Sequence, residues 1–357
     1  MVRQASVSSI ALAAALACLP VQAARSVFVS STGMDQQVLP FRPGVARATC
    51  DLARPCRTFQ YAYDVVDPGG EIVALDTADY GPVAIAKSVA IIGNPGIVAR
   101  ISVATGNGVT IAAPFVEVVL RNLNIEGAGG QDGVHMTEGA SLTLEHCVVS
   151  NFRLTGVAVV SDGGRVTRVR IVGSVMRENF VGAFISGRDV SADIVDSRFM
   201  GNGNSGLRVA STSGTASASV SGSVASGNGA SGFVATSFSG TARISLIRAT
   251  ASNNGGNGFM TEALGAGASA QMTVSGSMAG SNAGAGFLNS ASLGRSVMTV
   301  GGSAASGNST GFLNDAAAGA NATFESLGNN IVTENTSGVS VVNGVFVING
   351  VTLISSR

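Results

Sequence analysis

The 357-residue chain has no tryptophan, three tyrosines, a single lysine (Lys87), two histidines, and only 12% charged residues. An ordinary soluble domain is nearer 25% charged. With formal net charge zero and no basic stripe, the chain lacks the phosphate-neutralising surface that a nucleic-acid partner needs. Its tyrosines, Tyr61, Tyr63 and Tyr80, all lie in the first quarter, so the aromatic platforms on which sugars usually stack are missing from the remainder. After residue 23 no uninterrupted apolar run reaches about 18 residues, and no membrane span is expected. No metal ligand set and no cofactor motif is found: His135 and His146 stand without a second cysteine pair, and calcium is unsupported by any Gly-Gly-x-Gly-x-Asp repeat.

Glycine, by contrast, is plentiful, with 48 residues, and it is periodic. Asn179, Asn202, Asn228, Asn254, Asn282, Asn308 and Asn335 recur every 23 to 28 residues, each followed three or four positions later by Gly182, Gly206, Gly232, Gly258, Gly286, Gly311 or Gly338. Gly156, Gly133, Gly108 and Gly81 continue the rhythm backward. Self-similarity at this spacing means stacked units that bury their apolar faces against one another. Residues 210–330 look like low-complexity sequence, but Val, Ile, Leu, Phe and Ala return at fixed phase and mean hydropathy is +0.38, which excludes disorder.

Within one unit, Gly232 to Asn254, a short apolar run, an alternating run and a Ser/Ala run are separated by Gly, Ser and Asn. Three strands and three turns are expected. The i, i+3, i+4, i+7 pattern of helical solenoids is absent. Strands of successive units then lie about 4.8 Å apart, and like positions form ladders. One row holds Leu207, Phe233, Phe259, Phe287, Phe312 and Val339, read as stacked core. Another, five positions before the asparagines, holds Cys147, Ser174, Ser197, Ser223, Ala249, Ser277 and Ser303, read as a tight corner.

At these residues the chain resembles the right-handed parallel β-helix proteins of the pectin-lyase-like superfamily. The resemblance covers about 280 residues. It implies an all-β, single-stranded, three-sheet solenoid of about ten coils, with the asparagines in left-handed turns and a short N-terminal capping helix. The expected organisation is a signal peptide over 1–23, a strand and cap over 24–80, and the β-helix over 81–357. Arg3, the apolar stretch Ile10 to Leu19, Pro20 and Val21-Gln22-Ala23 carry the signal, with cleavage after Ala23 and a secreted or periplasmic address. Val27 to Val29 is expected to be extended, Thr58 to Val66 a lid helix N-capped by Thr58, and Val339 to Ile354 the closing strands. In an exported chain Cys50 and Cys56 form a plausible disulfide, and Cys147 a buried thiol.

Aligning coils on the asparagines places Arg168 and Arg170, Asp193, and Thr143 and Glu145 on one outward face, with His146 and Asp196 nearby. Beyond Arg208 the equivalent positions are Ser217, Ser219 and Ser245. Hydrolysis of a glycosidic bond would recruit two carboxylates, for which Asp193 and Asp196 are the candidates. Elimination would recruit Arg168 or Arg170 as base. The superfamily's paired Asp with Gly-His-Gly and its Arg-x-Lys are both absent from this sequence. The favoured expectation is therefore a secreted rod that presents a sheet face to a surface polysaccharide or another exported protein without catalysis. The alternative is a divergent polysaccharide lyase or glycoside hydrolase.

Overall fold

A computed structural model of the chain describes residues 25–35, 49–162 and 166–348, and the backbone of 351–354. The signal segment expected over residues 1–23 lies outside the described residues. Along Asp189–Val195 the side chains of Val190, Ala192 and Ile194 are buried while Ser191 and Asp193 face solvent, the period-two alternation of a strand with one face on a core. Each such strand pairs in parallel with its equivalent one coil later, so that Asp193 is followed by Ser219, Ser245, Thr273 and Thr299 in one column. The result is three sheets of 14, 11 and 11 strands. In each coil the chain passes from the long sheet through a first turn to a second sheet, through a second turn to a third sheet, and through a third turn back to the long sheet.

The core is a set of ladders. Ile91, Leu120, Leu144, Ile171, Ile194, Val220, Leu246, Val274 and Val300 follow one another in register, all buried. The phenylalanine row is buried from Leu207 to Phe312, whereas Val339, expected to continue it, is exposed: Phe233, Phe259 and Phe287 stack with ring centroids 5.5 and 4.8 Å apart, and Phe312 meets Phe287 edge-on at 5.3 Å. Burying each ring contributes about 2 kcal/mol from transfer alone.

The asparagine ladder occupies the second turn. Asn228 donates its main-chain N–H (3.1 Å) and its Nδ2 (2.9 Å) to Oδ1 of Asn254, and donates Nδ2 again to the Phe199 carbonyl (3.1 Å). The same pattern repeats from Asn179 to Asn335. The sequence suggested that these asparagines are themselves left-handed. Instead the preceding residue takes that conformation, with φ of 56° at Glu178, 66° at Gly227, 55° at Asn253 and 54° at Ser281. That geometry turns the following asparagine inward, where its amide is buried.

The glycines sit at extended positions and are there for space. A Cβ on Gly258 would lie 2.6 Å from the Gly286 carbonyl oxygen and 2.9 Å from the Asn282 amide nitrogen, and the clash recurs along the row from Gly156 to Gly311, whereas a Cβ on Gly338, the last of the row, would meet nothing within 4 Å. Gly81 is not part of this row: Val83 pairs with Val109, which sets Pro82 opposite Gly108.

The small-residue row in the first turn also has a polar reason. Ser174, Ser197, Ser277 and Ser303 each accept the main-chain N–H of the coil before and donate to the carbonyl two residues upstream. Cys147 heads this row as a buried free thiol, and burial pushes its pKa up to about 12. From His146–Cys147 to Gly302–Ser303 this turn is always the same two residues long, whereas the third turn ranges from Arg188 alone to Leu264 through Ala268.

Both ends of the rod are closed. Ser26–Val29 adds in parallel to Gly70–Ala74, and Cys50 and Cys56 are joined by a disulfide beside it. Helix α1 (Phe59–Val65) is N-capped by Thr58, whose Oγ1 accepts from the Tyr61 N–H, and it buries Phe59, Ala62 and Tyr63 over the first coil. The winding itself starts at Gly70, within the segment read from sequence as cap, because Gly70–Ala74, Ala78–Asp79 and Val83–Ile85 already pair with the coil that follows. At the far end Val351–Ile354 reverses direction and pairs antiparallel with Val345–Ile348.

Replacing Asn254 by Ala strands two donors on Asn228 and removes the Nδ2 bonds to Asn282 Oδ1 and to the Ala225 carbonyl, while the main-chain N–H still reaches Asn282. Denaturant unfolding is expected to show a loss of about 3 kcal/mol, against a smaller loss for Asn335→Ala, beyond which no asparagine of a further coil stacks among the described residues. The cap supplies a pH-dependent term. Burial would raise the Asp76 carboxyl, but hydrogen bonds from Tyr80, Ser31 and Ser30 outweigh it and hold the pKa at about 2, below the usual 3.8. A depressed folded-state pKa stabilises above the unfolded value, and that contribution disappears as pH falls through about 2. Asp76→Asn is therefore expected to lose about 2 kcal/mol at neutral pH and to flatten the fall in thermal midpoint between pH 4 and pH 2.

Candidate functional site

The charged face predicted on the long sheet forms from strands Glu117–Arg121, Ser141–Glu145, Thr167–Val172 and Asp189–Val195. Two outward columns cross it. One runs Ser141, Arg168, Ser191, Ser217, Arg243 and Gln271; the other runs Thr143, Arg170, Asp193, Ser219, Ser245 and Thr273. Arg170 and Asp193 face each other with Nη1 3.2 Å from Oδ2, both side chains half exposed. Arg121 Nε lies 2.7 Å from Glu145 Oε2 on the neighbouring pair of strands. Solvent-screened pairs of this kind contribute a few tenths of a kcal/mol.

The remaining sequence candidates separate. His146 (φ 54°) and Asp196 (φ 49°) lie in the first turn, off the sheet face, in a left-handed column with Asn122, Gly173 and Arg248. The Asp196 carboxylate covers Gly222, 2.3 Å from where a Cβ would stand. Asp193 projects from a strand and Asp196 from the turn beyond its end, so the two do not form one carboxylate pair on the sheet. His135, on the third sheet, bonds through Nδ1 to Asp132 at 2.9 Å. Among the described residues no three His, Cys, Asp or Glu groups converge as a metal site, and no helix is long and apolar enough to cross a membrane.

A feature that sequence reasoning missed borders the strip. Successive third turns line a groove of about 330 Å³ along its edge, with Phe115 from one coil, Glu138 and Gly139 from the next, and Val166, Thr167 and Arg168 from a third. Phe115 is 63% exposed with a φ of 65°, a rare conformation for a bulky residue. Thr167 Oγ1 donates to the Gly139 carbonyl at 3.0 Å and lies 2.8 Å from Ser161 Oγ, which ties the floor together. Counting coils from the asparagines would have brought these turns together, but turn lengths too uneven to align hid them.

Residues 99–271 match the family model described as right handed beta helix region, a span that includes the strip and groove. The fold is a right-handed parallel β-helix. Among solved structures the β-helix is similar to pectate lyase Pel9A, at 15% identity and TM-score 0.53, covering 91% of this chain and 79% of that one. It is also similar to the Azotobacter vinelandii mannuronan C-5 epimerase AlgE6 A-module, at 14% identity and TM-score 0.47, covering 78% and 91% respectively. No curated protein sequence matches the chain.

Because the pairs on the strip are solvent-screened, Arg170→Ala is expected to change unfolding free energy by less than about 1 kcal/mol, measured by urea titration.

Proposed function

We propose that this chain is an exported, non-catalytic β-helix rod whose long-sheet face and bordering edge dock a surface polysaccharide. The observation that carries the reading is the chemistry of that face. It is a flat array of Ser, Thr and Gln side chains at strand spacing, interrupted by arginines and by carboxylates of which Glu145 and Asp193 are held against guanidinium groups. Such a surface offers hydrogen-bond partners to sugar hydroxyls over several coils. Asp193, the strand carboxylate best placed for chemistry, is engaged by Arg170 and has no second carboxylate beside it on the sheet. The Cys50–Cys56 disulfide supports an oxidising compartment, the periplasm or the cell exterior.

The alternative is a polysaccharide lyase or hydrolase, for which the likeness in fold to pectate lyase Pel9A speaks. Purified protein on a glycan array, followed by assay of the bound glycans for released reducing and unsaturated ends, decides between them. The expected result is retention of at least one glycan class with no release of ends. Sustained cleavage that disappears in Asp193→Ala would overturn the non-catalytic reading.

A further inference from the structure

The two ends of the rod differ in how they are covered, and we infer that the C-terminal end is a surface through which two copies of this chain join end to end. Three observations define it. The reversal at Val351–Ile354 closes the long sheet alone, so the second and third sheets finish in Ile331–Thr333 and Ser337–Val342, each paired on one side only among the described residues. Val339 stands in the inward column after Phe312, yet 45% of it is exposed, so the core itself reaches the surface here. A Cβ on Gly338 would meet nothing within 4 Å, whereas on Gly286 or Gly311 it would strike the carbonyl of the following coil. Strand edges in this position are ordinarily protected by lysine, proline or an inward charge. From Ser326 to Ile348 there is no lysine, arginine or proline, and the one charge, Glu334, turns back to accept from Ser306 Oγ at 3.3 Å. Ile331 and Val342 are exposed beside these edges, with Val332 and Val341 partly buried behind them.

Symmetry and charge identify the occupant as a second copy. A strand edge is complementary to its own copy in the antiparallel sense, because about a two-fold axis paired residues exchange N–H and carbonyl in both directions. An end almost without charge meets its copy without the repulsion that an end rich in one sign would suffer. At the opposite end helix α1 and Ser26–Val29 lie over the first coil, which blocks head-to-tail stacking into a filament. The assembly therefore closes at two.

Sedimentation velocity of the full chain over a concentration series, with small-angle X-ray scattering on the same samples, tests the assignment independently of what the sheet face binds. A monomer–dimer equilibrium is expected. Eleven coils at strand spacing make a rod of roughly 50 Å, and two joined at their ends reach roughly 100 Å. Val342→Lys and Ile331→Lys put a protective charge on each edge at exposed outward positions, and each is expected to raise the dimer dissociation constant roughly tenfold or more with the monomer's thermal midpoint unmoved. Arg100→Ala, from an exposed pair with Glu126 in the first half of the rod, should leave the dimer as it is. A chain that is monomeric at every concentration, a dimer no longer than the monomer, or lysine variants that dimerise as tightly as the unmodified chain would each overturn the end-to-end contact. Capture of an unrelated strand-forming peptide by a chain that stays monomeric would assign the edges to a foreign strand and overturn it equally.

Discussion

A side-chain amide inside a protein is tolerated only when its donors and its acceptor are all used, and the asparagine ladder meets that condition only while successive coils stay in register. From Asn202 onward each amide oxygen accepts twice from the coil before it, and each amide nitrogen along the row donates twice. A slip of one residue would turn every strand's buried face outward and leave the whole row unpaired at once. The other ladders follow from this one. Glycine is needed where the next coil's carbonyl and asparagine approach, and stacked phenylalanines fill the width that this spacing leaves.

The same register arranges the surface. Outward columns on the long sheet inherit their spacing from the core, which is why Arg170 meets Asp193 across 23 residues of sequence. Turns are less constrained, and the groove at Phe115 arises where three of them lie side by side. The functional reading therefore depends on surface chemistry superposed on a frame that would fold equally well with other outward residues.

The solenoid was legible in the sequence because its period is written in residues with few substitutes. Asn228 and Asn254 cannot be exchanged for another side chain that donates and accepts in this way, and Gly232 and Gly258 cannot carry a Cβ. The left-handed residues were not legible. That conformation is filled by Glu178, Ser281, Arg248 or His146 as well as by glycine, so the position leaves no signature in residue type. Outward direction was read correctly at Arg168, Arg170 and Asp193, since alternation along a strand survives any error in the turns. His146 and Asp196 were harder to place, because a residue just past a strand end follows the turn and not the alternation. The groove was missed for the same reason, and Glu138, Phe115 and Arg168 come together only when turns of unequal length are superposed.

That inequality has its own consequence. First turns are fixed at two residues through most of the rod, yet third turns range from Arg188 alone to Leu264 through Ala268, and the long-sheet pairing that follows them keeps its register. Lengthening a connection costs only about 0.6 kcal/mol per doubling, small beside the apolar burial of a single coil. One edge of the molecule can thus acquire or shed whole peptides while its interior stays untouched, and descendants of such a chain would diverge in what they grip long before they diverge in shape.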